Sequence, residues 1–130
     1  MVKEAYCSFE VSKLLREKGF DEPCWVKYDN EGYLSFNRVG YINNEEPCDD
    51  FCALAPTHQM AMAWLREIHN IYLDINVRII HWQWSGYIIL IHTTDNNGFL
   101  YKKIPIVLKD NMSYEQVCEV ALKYTLENLI

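Results

Sequence analysis

The sequence predicts one α+β domain in the order helix, hairpin, helix, three-stranded antiparallel meander, C-terminal helix, with the helices packed on the sheet. Three observations carry this. Residues 71–79 alternate apolar and polar side chains with a period of two, which a half-buried strand explains. Two segments, after Thr57 and after Ser113, repeat apolar residues at helical spacing behind good N-caps. Finally, 130 residues of which 50% are hydrophobic are enough for one well-packed core and too few for two.

The elements follow in order. Ser8 is a natural N-cap for a first helix with Val11, Leu14 and Leu15 on its apolar face. Gly19 supplies a left-handed C′ residue, and Phe20 is placed to pack back on Leu15. Trp25 to Asn37 reads as a hairpin turning at Asn30-Glu31-Gly32. Arg38 to Leu54 is polar and irregular, a long loop. The second helix starts at Thr57 after Pro56, with a stripe of Ala61, Trp64, Leu65 and Ile68, and Asn70 is its left-handed terminator. Ile71, Leu73, Ile75, Val77 and Ile79 then define a strand whose phase slips at Ile79-Ile80, the mark of a bulge. Ser85-Gly86 is expected to turn the chain into a central strand, Tyr87–His92. Asn97-Gly98 signals a second hairpin into Phe99–Lys103, a strand that Pro105 limits. In the last helix Ser113 and Gln116 form a capping box, with Met112 and Val117 as staple. Tyr114, Val117, Cys118, Ala121, Leu122 and Leu129 line its apolar face, while Glu119, Lys123 and Glu127 form i, i+4 ion pairs on another.

Charge and cysteine usage bound the function. The net charge is −6, and residues 1–70 hold most of it, with 7 Lys and Arg against 12 Asp and Glu. Nucleic-acid binding needs clustered cations to release counterions, so it is not expected as the primary role. An acidic surface suits a basic protein partner. Five cysteines, Cys7, Cys24, Cys48, Cys52 and Cys118, form an odd set, and Met1-Val2-Lys3-Glu4 lacks the apolar run of a secretory leader, so a disulfide framework is not expected. A cytoplasmic protein with no membrane span is the expectation.

The candidate chemistry is sparse. Cys48 and Cys52, with Cys24, Cys7 and His58, offer enough donors for zinc, yet only one loose Cys-x-x-x-Cys pair stands where two tight knuckles are usual. Neither a metal nor another cofactor is expected. A cysteine nucleophile needs a base beside it, and no spacing pairs His58, His69, His81 or His92 with a thiol. His69 caps a helix C-terminus, and His81 and His92 fall on neighbouring strands without a third ligand. Glu45, Glu46, Asp49 and Asp50 lie in the acidic loop as solvated charge. G-x-G-x-x-G, Walker A and G-x-S-x-G patterns are all absent. Trp82, Trp84 and Tyr87 cluster around a turn, with Trp82 expected in the core and the other two open to either face.

The order helix–three strands–helix from Thr57 to Leu129 matches that of the double-stranded-RNA-binding domain, but the final helix begins Ser113-Tyr114-Glu115-Gln116 without that domain's lysines. A closer pattern is Leu54-Ala55-Pro56-Thr57-His58-Gln59 running to Trp64-Leu65-Arg66-Glu67-Ile68-His69-Asn70-Ile71, together with Tyr114-Glu115 and the closing Ala121-Leu122-Lys123-Tyr124-Thr125-Leu126-Glu127-Asn128-Leu129-Ile130. These segments resemble small uncharacterised proteins of phages and prophages of Bacteroides-type bacteria, over about a third of the chain. Met60-Ala61-Met62 departs from that pattern, and residues 38–50 match none of it. The resemblance implies an origin and attaches no reaction. The expectation is therefore a non-enzymatic phage or prophage accessory protein that binds another protein, a host or defence component, through Trp84, Tyr87, Asp49 and Asp50. A nucleic-acid-binding module and a virion structural component are the alternatives.

Overall fold

The computed structural model describes residues 4–36, 51–106, 108 and 111–130. Its elements are α1 (Phe9–Glu17), β1 (Val26–Asp29), β2 (Leu34–Phe36), β3 (Phe51–Leu54), α2 (His58–His69), β4 (Ile71–Ile80), β5 (Gln83–Thr94), β6 (Leu100–Ile106) and α3 (Tyr114–Asn128). They form two antiparallel three-stranded sheets, ordered β2-β1-β3 and β4-β5-β6. α2 and α3 lie on the second sheet, and α1 lies between α3 and β3. This is the expected α+β architecture with helices on a sheet.

The caps set the helix boundaries. Ser8, Thr57 and Ser113 each accept a hydrogen bond from the amide three residues on, and the Ser113 amide donates in turn to Gln116 Oε1, closing the capping box. At the end of α1, Gly19 is left-handed at φ +91° and the Phe20 amide donates to Leu15 O at 2.9 Å. Asn70, at φ 56°, ends α2 as expected.

The core is one contiguous cluster joining Val11, Leu15, Phe20, Leu65, Ile89, Ile91, Leu122 and Leu126 across all three helices and the second sheet. Phe20 and Trp64 meet edge-on with centroids 5.4 Å apart. Ile68, placed on the α2 stripe by its spacing, is 58% exposed instead.

Several expectations about strands need correction. The end of the supposed 38–54 loop is strand β3, which pairs with β1, Ala53 opposite Tyr28. The rest of that loop, Asp49 and Asp50 included, lies outside the described residues. Ser85-Gly86 is no turn: both residues sit inside β5, and the chain reverses at His81-Trp82. Pro105 does not end the third strand of the meander. It pairs with Leu90 inside β6, where an outer strand tolerates a residue without an N–H. The bulge falls one residue earlier than its phase slip suggested, between Val77 and Ile79. Asn97-Gly98 does make its hairpin, with Asp95 Oδ1 accepting the Asn97 and Phe99 amides at 2.9 and 3.0 Å.

Leu122 is fully buried, so Leu122→Ala is expected to lower unfolding free energy by about 2–5 kcal/mol. Ile68→Ala should change it by no more than about 0.5 kcal/mol. Urea denaturation of both variants checks the assignment, and equal losses would put Ile68 back in the core.

Candidate functional site

Two features depart from ordinary packing: an apolar ribbon at one end of the second sheet and a polar cluster buried where the three helices meet.

The ribbon is the outer part of the β4–β5 hairpin. β6 pairs with β5 only as far as Ile89 opposite Ile106, while β4 and β5 continue through Val77–Tyr87 and Ile79–Trp84 to Ile80–Gln83. At about 3.3 Å per residue this is a two-stranded projection of roughly 13 Å. Val77, Ile79, Ile80 and Trp84 are apolar and exposed, interleaved with exposed Arg78, His81 and Gln83, and Trp82 at the tip is 99% exposed. Single apolar residues on a surface are ordinary, whereas five of them on one hairpin make it a candidate interaction site. His81 and Trp82 both adopt left-handed backbone, φ 51° and 65°. That is the type I′ geometry which Asn-Gly fills without strain.

The expected pair is brought together here. Trp84 and Tyr87 meet edge-on at 5.6 Å, and Tyr87 meets Tyr114 of α3 at the same distance. Tyr87 thus roots the ribbon on the core while Trp84 stays exposed. Trp82, expected inside, points into solvent, because the reversal falls at Trp82 and not at Ser85-Gly86. Beside Tyr87, where β6 ends, a hollow of about 240 Å³ opens between Arg78, Ile106, Leu108 and Met112. His81 is at the tip and His92 is down the strand, facing Asp74 at 4.0 Å, so the two share no site.

The polar cluster comprises Cys7, His58 and Glu119, whose ligand-type atoms all lie within 4.8 Å of one another. Cys7 and His58 are held by neighbouring backbone. The Cys7 amide donates to Pro56 O at 2.8 Å, and the His58 amide donates to Ala5 O at 3.0 Å, flanking a bridge between Tyr6 and Thr57. The Tyr28 hydroxyl donates to Cys7 O at 2.7 Å and ties the segment to the first sheet. Glu119 reaches in from α3. Its Oε1 accepts the Ser8 amide at 2.8 Å and stands 2.7 Å from His58 Nε2. The expected Glu119–Lys123 pair does not form among these contacts; Lys123 pairs with Glu10 at 2.8 Å and more loosely with Glu127 at 3.8 Å.

The electrostatics decide what this cluster does. Burial alone would raise the Glu119 pKa, but hydrogen bonds from His58 and Ser8 outweigh it and hold the carboxyl below its ordinary value. Burial pushes the Cys7 thiol well above its usual range, and the adjacent Glu119 charge pushes it further. Thiol, imidazole and carboxylate have the composition of a nucleophilic triad. A fully buried, protonated thiol is nonetheless not the activated thiolate that such chemistry needs. Burial likewise drives Cys24 up to about 12 and Cys118 up to about 11.

The sequence names Cys7 and His58 as possible zinc donors and misses Glu119, assigned there to a surface ion pair. The available signal was its place beside Cys118 on the buried stripe of α3. Compared with known proteins, the chain matches no family model, no curated protein and no solved structure. Among the described residues, no helix is long and apolar enough to cross a membrane.

The buried thiols give a direct check. At pH 8 a thiol with pKa about 11 is ionised to about one part in a thousand. Cys7, Cys24 and Cys118 should therefore stay unreactive toward a disulfide reagent until denaturant unfolds the chain. Fast labelling of any of the three in the folded protein, located by peptide mass spectrometry, would contradict the burial.

Proposed function

We propose that this chain is a protein-binding module whose docking element is the β4–β5 ribbon, and that it takes an extended apolar segment of another protein. The observation that carries the reading is Trp82, wholly solvent-exposed on a strained left-handed turn among Val77, Ile79, Ile80 and Trp84. Left-handed backbone costs about 1 kcal/mol or more at a residue other than glycine or asparagine. Exposing a tryptophan there brings the isolated chain no burial in return, so both features find their use in a complex.

The mode of docking follows from the sheet edge. Among the described residues, no strand pairs with Gln83–Ile88 of β5 on the side where β6 ends. A partner strand added there would gain main-chain hydrogen bonds, with one of its side chains entering the hollow beside Tyr87. Trp84 and Tyr87 would then be central contacts, as aromatic residues often are in hot spots. On the resemblance to phage and prophage proteins, the partner belongs to the bacterial host.

The test uses two variants. His81→Asn with Trp82→Gly gives the turn its preferred residues and should raise stability by about 1 kcal/mol in urea denaturation. Both it and Trp84→Ala should bind a captured host protein at least about tenfold more weakly. In the wild-type complex, the amides of residues 83–88 should gain protection from hydrogen exchange. Undiminished binding by both variants, or protection elsewhere only, sinks the reading. A complex made solely of a second copy of this chain would replace the foreign partner with self-association.

A further inference from the structure

We propose that Cys7, His58 and Glu119 form a binding site for a divalent transition-metal ion, zinc being the best fit to their chemistry. Their donor atoms come from three separate parts of the chain and converge within 4.8 Å. Tetrahedral zinc with bonds of about 2.0–2.3 Å holds its ligand atoms about 3.3–3.7 Å apart. The His58–Glu119 edge is 2.7 Å and the other two are no longer than 4.8 Å. The His58–Glu119 edge must open by roughly 0.7 Å, within reach of side-chain rotation.

The donor set selects the metal. One thiolate sulfur, one imidazole nitrogen and one carboxylate oxygen form a borderline-soft site, unlike the all-oxygen shells of calcium and magnesium. The two softer donors are the rigid ones. Cys7 and His58 stand on adjacent segments clipped by the Tyr6–Thr57 bridge, and the Cys7 carbonyl is held by Tyr28. Glu119 is the least buried of the three, its side chain 26% exposed, so it can swing toward the ion. The Ser8 amide on its Oε1 is the kind of outer hydrogen bond that aims a carboxylate ligand. Three protein ligands leave a fourth position, and the Glu119 side is where water reaches the cluster. Binding releases the Cys7 proton to solvent, and the proton between His58 Nε2 and Glu119 must move to Nδ1 or leave to solvent, so that the imidazole–carboxylate hydrogen bond gives way to two metal bonds.

This site stands independently of the ribbon. The first experiment uses the intact chain, stripped with a chelator and titrated with Co²⁺ and then Zn²⁺. One equivalent of Co²⁺ should produce tetrahedral visible bands and a sulfur-to-cobalt charge-transfer band of one-thiolate intensity, both bleached by Zn²⁺. Zinc should also raise the melting temperature of the stripped chain. Cys7→Ser should remove the charge-transfer band and weaken zinc binding at least ~100-fold against a chromophoric chelator. Cys118→Ser, which alters a buried cysteine outside the cluster, should keep both. No band in the wild-type chain overturns the proposal, as does a band of two or more thiolates, which would place the metal on other cysteines. The wild-type spectrum decides even if Cys7→Ser fails to fold.

Discussion

The Glu119 carboxylate is the contact on which the three-helix arrangement turns. It projects from the middle of α3 and takes the amide of Ser8, the cap of α1, and the imidazole of His58, the first residue of α2. Two helix N-termini therefore face one negative charge, which is what their dipoles favour. A buried carboxylate without such partners would be costly, whereas this one has a depressed pKa, so its surroundings favour the charged form. The contact also fixes where the N-terminal segment runs. Ala5 to Ser8 must lie alongside Pro56–His58 for both donors to arrive together, and the backbone hydrogen bonds of Cys7 and His58 hold it there.

From that junction the rest of the molecule can be followed outward. With α3 fixed, its stripe of Val117, Ala121, Leu122 and Leu126 covers Ile89 and Ile91, and α2 covers β4 beside it. The helices cover the second sheet only near its root. Among the described residues, the contact of Tyr87 with Tyr114 is the last anchor beyond Ile75 and Ile89, and the hairpin continues without a helix over it. The same packing that makes the core tight at one end leaves the ribbon uncovered at the other.

What the sequence discloses and what it conceals divide along a physical line. Caps are local chemistry, so Ser8, Gly19, Thr57, Asn70 and Ser113 are legible one by one. So is the alternation of β4, since period two needs no tertiary knowledge. The reversal at His81-Trp82 is illegible because neither residue is a turn former, and Ser85-Gly86 three residues on is a better local answer. Here the pairing of β4 with β5 overrides the local preference and forces left-handed backbone on two bulky side chains. Ile68 fails for another reason: helical spacing gives a face but not how far the covering element extends. Glu119 is the instructive miss. Its i, i+4 partner Lys123 is the right local reading, but Lys123 finds Glu10 on α1, and that long-range pair leaves Glu119 to turn inward.

The two unusual features pose different energetic questions. The buried cluster is compensated where it stands: the carboxylate has two hydrogen-bond partners, and the thiol is kept neutral. It can persist in the isolated chain, and a metal ion would use groups already gathered there. The ribbon has no such internal compensation. Its left-handed tip and its tryptophan, 99% exposed, are both unfavourable in the free molecule, and among the described residues no contact of Trp82 offsets them. A local rule broken with its compensation in view is accounted for by the fold itself, whereas one broken without it directs attention outside the molecule. On that ground the proposed partner surface is placed at the hairpin tip, while the cysteine, histidine and glutamate are accounted for by the junction they hold together, with or without a metal.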